Sequence, residues 1–138
     1  LYADINNYIK YQYFNQIDKN YKWRSGIKHD ASKVMELTKI NDTFYNGFNE
    51  EVDIEEKFVY PILKSSDISK SNIKPRKFII ITQKHVGSNT DNIRKEAPKT
   101  WSYLIKHSKI LDNRKSIIYK KQSRFAIFGI GEYSFSFF

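Results

Sequence analysis

The chain has 138 residues, with 24 Lys and Arg against 15 Asp and Glu, a formal net charge of +9, 40% hydrophobic residues and 16% aromatic ones. One domain of ordinary size with material for a core follows, which excludes a disordered chain. Cysteine is absent, so there is no disulfide framework, thiolate zinc site or cysteine nucleophile, and no apolar run approaches the ~20 residues of a membrane span.

In chain order, residues 1–20 are rich in Tyr, Asn and Ile without clear periodicity and read as a linker or connecting segment. Asp4, Asn6, Asn7 and Lys10 interrupt the first ten residues, unlike a signal peptide, and a cytoplasmic location is expected. Residues 33–38 suit a strand, Asn41-Asp42 a turn, and residues 43–48 its hairpin partner. Residues 49–57 are acidic. Residues 58–63 are apolar but broken by Pro61, residues 65–75 read as a polar loop, and residues 76–82 as a well-buried strand. A short helix over 91–97, ended by Pro98, precedes a second one with Thr100 as its N-cap and Trp101, Leu104, Ile105 and Leu111 on one face. Residues 117–119, 125–128 and 133–138 read as strands. The sum is a single α+β domain, strand-rich and mixed, with one or two helices and no Rossmann unit. The chain opens at Leu1 and stops inside the alternating run 133–138, so a piece of a longer protein is expected.

The positive charge favours polyanionic partners, and the basic residues recur beside aromatics, as in Tyr21-Lys22-Trp23-Arg24 and Tyr119-Lys120-Lys121. Cations neutralise phosphates while rings stack on bases. Three stretches join such cations to Ser, Asn or Asp groups of a kind that reaches base edges: residues 23–30, 60–68 and 111–125. Against this stand bland alternatives, with Trp23 as core, Asp67 as a cap and Arg114 as an internal ion pair. A rival enzymatic pattern is Asp42 with Glu55 and Lys57, an arrangement able to bind Mg²⁺ in a nuclease. Phe128-Gly129-Ile130-Gly131 lacks the helix that a cofactor loop needs behind it, and reads better as turn glycines between strands.

The same stretches carry a family likeness. Tyr60-Pro-Ile-Leu-Lys-Ser-Ser-Asp-Ile68 followed by residues 76–82, and Pro98-x-x-Trp-x-Tyr-Leu104 followed by Leu111-x-x-Arg114, resemble the C-terminal target-recognition domain of bacterial adenine-specific DNA methyltransferases of restriction–modification systems. Residues 23–30 and 125–135 are similar to a narrower subgroup. The Asn-Pro-Pro-Tyr motif that holds the flipped adenine in that family is absent. The resemblance therefore implies that this chain recognises double-stranded DNA, has no activity alone, and serves a catalytic methyltransferase domain of the same parent chain. S-adenosylmethionine is expected in that other domain, with no cofactor, metal or membrane partner here. On that basis Arg24, Lys28, Lys64, Lys115 and Lys120 are assigned to phosphates. Ser25, His29, Ser65, Ser66, Asp67, Arg114 and Arg124 are assigned to base edges or positioning, with Ser116 beside them, and Trp23, Tyr119 and Tyr133 to the DNA face.

Overall fold

The structure, a computed structural model, describes residues 24–71 and 74–135; the expected linker at 1–20, Trp23 and the last three residues of the chain lie outside the described residues. Asn41 and Asp42 both take positive φ, 47° and 66°. That is the two-residue hairpin turn whose twist matches its strands, and Asn and Asp tolerate it. It joins β1 (Glu36–Ile40) to β2 (Thr43–Tyr45), with Ile40 opposite Thr43 and Thr38 opposite Tyr45. β1 starts three residues later than the sequence suggests. Val34 and Met35 belong to a helical turn, α1 (Ser32–Met35), because both of their N–H groups donate to the Ala31 carbonyl, at 3.0 and 2.9 Å.

β3 (Glu51–Val52) extends the hairpin on one side. On the other side, β5 (Lys77–Ile80) pairs with β1, and β4 (Val59–Ile62) pairs with β5, all antiparallel. The order is β3-β2-β1-β5-β4. Pro61 thus sits on an edge strand, where its missing N–H leaves no neighbour unsatisfied. The apolar run expected to form a buried strand is β5, and Ile79 and Ile80 are among the most buried residues of the core. This is an α+β fold without a Rossmann unit.

The helices are short: α2 (Ser65–Ile68), α3 (Ile93–Glu96), α4 (Pro98–Lys106) and α5 (Ser108–Asp112). The expected polar loop at 65–75 therefore opens with a helical turn. Thr100 is not an N-cap: α4 begins at Pro98, a residue pre-set for the first helical position. The inward face of α4 is Thr100, Tyr103 and Leu104, while Ile105 is exposed. Tyr103 turns inward because its hydroxyl donates to the Val34 carbonyl at 2.8 Å and accepts from Asn46 Nδ2 at 3.3 Å.

The C-terminal strands are corrected too. Residues Ile117–Tyr119 and Glu132–Ser134 are 3-10 turns, and residues 125–128 make a single bridge, Lys28 to Phe128. The apolar run Phe125-Ala126-Ile127 is fully buried, but side chains satisfy its carbonyls. Thr82 Oγ1 donates to Phe125 O at 2.7 Å, Arg114 Nη1 to Ala126 O at 2.7 Å, and Gln83 Nε2 to Ile127 O at 3.1 Å.

Candidate nucleic-acid interface

The three sequence stretches, far apart in the chain, are linked to one another by backbone and side-chain contacts. Lys28 and Phe128 exchange backbone bonds of 2.8 and 2.9 Å. Gly129, at φ +64°, packs so closely on Gly26 that a Cβ there would overlap the Gly26 carbonyl. Gly129→Ala should therefore cost about 2–3 kcal/mol from the left-handed backbone and the overlap combined. Unfolding in urea checks this; an unchanged midpoint would mean the two segments do not pack in this way.

Arg114 fastens the same region from beneath. Its guanidinium donates to the carbonyls of Leu111 at 2.7 Å, Ala126 at 2.7 Å, Arg124 at 2.9 Å and His29 at 3.4 Å. It also lies 3.8 Å above the Tyr119 ring. Both residues are more than nine-tenths buried. Burial and the nearby Asp30 carboxylate push the Tyr119 hydroxyl up to about 12. Tyr119 in turn meets Phe128 edge-on at 5.4 Å.

Glu36 ties the second stretch to the first. Its carboxylate receives Lys64 Nζ at 2.8 and 2.9 Å and faces His29 Nε2 at 3.5 Å. His29 Nδ1 accepts the Ala31 N–H at 3.3 Å, so the neutral ring holds its proton on Nε2, towards Glu36. Burial lowers the pKa of His29 despite the opposing pull of Glu36. Further along, Asp67 is buried, accepts the Lys64 N–H at 3.1 Å and is gripped by the Arg76 guanidinium. Those hydrogen bonds, that from Arg76 foremost, hold its carboxyl below the usual range.

The assigned residues thus divide. Arg24, Ser25, Lys28, Ser65, Ser66, Lys115 and Lys120 are exposed, and Ser116 and Tyr133 are half-buried. Arg24 lies 4.0 Å over the Tyr133 ring. Lys64 and Arg124 are exposed but ion-paired, Arg124 with Asp112 at 2.6 Å. His29, Asp67, Arg114 and Tyr119 are interior groups that hold the surface loops in place. All four, assigned from the sequence to base edges or to the DNA face, are buried here and interact with groups of this chain. Among the bland alternatives, Asp67 as a cap holds. The internal ion pair for Arg114 is replaced by a cage of carbonyls. Asp30 closes the first of the three sequence stretches without being assigned to DNA, and neither Lys109 nor the exposed Ile117 is assigned from the sequence. Ile117 was hidden by reading 117–119 as a strand, whereas in the 3-10 turn its side chain is 73% exposed.

Asp42, Glu55 and Lys57 do not assemble. Asp42 sits in the hairpin turn and pairs with Lys39 at 3.0 Å, and Lys57 pairs with Glu96 at 3.8 Å. Glu55 caps α4 from a distant loop, accepting the Lys99 N–H at 3.0 Å, the Thr100 N–H at 2.8 Å and the Thr100 hydroxyl at 2.6 Å. Among the described residues no three His, Asp or Glu side chains gather as a metal site requires.

Burial alone would raise the Glu55 pKa, but the hydrogen bonds from Thr100 and Lys99 outweigh it and bring it to about 2. A carboxylate shifted down stabilises the fold above its unfolded value, 4.5, and that contribution fades as pH falls towards 2. With allowance for solvent screening, Glu55→Ala should cost about 1–2 kcal/mol at neutral pH. Its stability should also fall less steeply than the parent's between these two pH values. Parallel acid-limb slopes in urea titrations of the two proteins would refute the cap.

No protein-family model and no solved structure matches this chain. It is 56% identical over 129 residues to the Type II methyltransferase M.NspV of Nostoc sp. (strain ATCC 29411 / PCC 7524), a match covering 93% of this chain. The chain is similar to part of a methyltransferase. It spans about a quarter of that relative's length, 26%. The matched portion is long enough to include both the sheet and the basic end described above. Among the described residues no helix is long and apolar enough to cross a membrane.

Proposed function

We propose that this chain is the target-recognition part of an adenine-specific, S-adenosylmethionine-dependent DNA methyltransferase of a restriction–modification system, and that it binds double-stranded DNA while residues outside it transfer the methyl group. The observation that carries this reading is the convergence of residues 24–30, 113–121 and 124–133 into one cation-rich end of the fold, within a chain 56% identical to a stretch of a Type II methyltransferase. Arg24, Lys28, Lys115 and Lys120 point their charges outward there, and exposed Ser25, Ser65 and Ser66 offer hydroxyls for base edges. The buried Arg114 and Asp67 keep these loops in register for the duplex.

Methylating an adenine amino group requires the base to leave its stack, at a cost of a few kcal/mol. A basic module clamped on the duplex offsets part of that cost while fixing which site is opened. In this reading the cofactor binds residues outside this chain.

Anisotropy of a labelled duplex tests the reading. The chain should bind with an affinity that falls steeply between ~50 and ~200 mM salt, in proportion to the phosphates neutralised. It should leave plasmid uncut in Mg²⁺. Absence of duplex binding at the lowest salt, or single-stranded RNA displacing the duplex, would overturn the proposal.

A further inference from the structure

We propose that Asp30 is a base-reading residue, its carboxylate accepting a hydrogen bond from an exocyclic amino group (cytosine N4 or adenine N6) in the major groove. The inference deepens the duplex-recognition reading and rests on it. Asp30 lines an open groove of about 650 Å³ together with Lys109, Ile110, Asn113, Arg114 and Lys115. Its own side chain is exposed, while its neighbours His29 and Ala31 are buried. The His29 carbonyl is held by Arg114, and the Ala31 carbonyl accepts the N–H groups of Val34 and Met35. Between these anchors Asp30 takes φ +51°, a conformation Asp tolerates better than most residues. The carboxylate thus stands at the surface on a fixed backbone, steadied from beneath by Tyr119, the pre-organisation a reading residue needs.

Charge narrows what it can meet. On the same end of the fold Asp112 is matched by Arg124 and Glu36 by Lys64, whereas Asp30 makes no such close ion pair among the described residues, although its charge is felt by the Arg114 guanidinium and the Tyr119 hydroxyl beneath it. A carboxylate set among cations that face a duplex is repelled by the phosphates those cations attract. Phosphates offer no donor in return. The donors a duplex presents in its major groove are the amino groups of cytosine and adenine, and a good contact there discriminates by about tenfold or more against a wrong pair. Loss of Asp30 should therefore relax sequence preference without weakening the electrostatic grip on the backbone.

The test is selection of duplexes from a pool with randomised base pairs, by the unaltered chain, Asp30→Ala and Asp30→Asn. The unaltered chain should enrich a motif, and Asp30→Ala should lose about tenfold preference at one pair of it while keeping or raising its affinity for the unselected pool. Asp30→Asn, which tolerates the same φ, should shift preference at that pair. Removing the amino group from the preferred base, as pyrimidin-2-one for cytosine or purine for adenine, should cost the unaltered chain the same factor and Asp30→Ala nothing. Unchanged preferences in both variants, or a uniform loss of binding to every sequence, would overturn the role of Asp30 alone. No duplex binding by the unaltered chain would overturn the recognition reading and this proposal with it.

Discussion

Replacing Arg114 with alanine should destabilise the fold by about 3–5 kcal/mol, because it strips the donor from four carbonyls at once and leaves a void among buried groups. The carbonyls belong to residues 29, 111, 124 and 126. They lie on three segments that otherwise share one backbone bridge. Lysine should rescue less than half of the loss, since a single ammonium has neither the planar fork nor the reach to serve four acceptors, and it does not lie flat on the Tyr119 ring as the guanidinium does. Urea midpoints at constant slope would measure both variants. Full parental stability in Arg114→Ala, joined to weaker duplex binding, would mean that Arg114 contacts DNA directly and is not the fastener described above.

The second large effect concerns binding. Changing Lys28, Lys115 and Lys120 together to alanine should lower the slope of log affinity against log salt by about 2.7, at ~0.9 per phosphate contact. Near ~0.1 M salt that amounts to a loss of two to three decades in affinity. Stability should change little, because all three side chains are exposed. A parallel triple change at Lys39, Lys57 and Lys99, which are ion-paired elsewhere on the surface, should leave the slope nearly as it was. Equal losses from both triples would point to diffuse attraction by net charge with no oriented face.

Much of the fold is legible in local chemistry. Asn41-Asp42 is readable as a hairpin turn because few residue types accept two consecutive left-handed backbones. The strand at Lys77–Ile80 is readable because a run of β-branched residues suits the middle of a sheet. Pro61 marks β4 as an edge for an equally local reason. The candidate interface was legible as a set of stretches but not as a division of labour. His29, Asp67 and Arg114 have the same side-chain chemistry whether they face DNA or the interior. Only the packing around them decides whether water reaches them.

The last third of the chain shows the limit most clearly. Phe125-Ala126-Ile127-Phe128 is apolar throughout and reads as a strand, and Phe125, Ala126 and Ile127 are buried. Whether its carbonyls pair with another strand depends on what lies opposite, and opposite it stand the side chains of Thr82, Gln83 and Arg114. Thr100 likewise looks like a cap from its neighbours, yet the cap of α4 is Glu55, 45 residues earlier in the chain. Composition, turn chemistry, apolar patterning and a surplus of positive charge were present in the sequence. The tertiary structure alone decided which polar groups are spent inside and which remain for a partner, because a hydrogen bond between distant segments leaves no periodic trace in either of them.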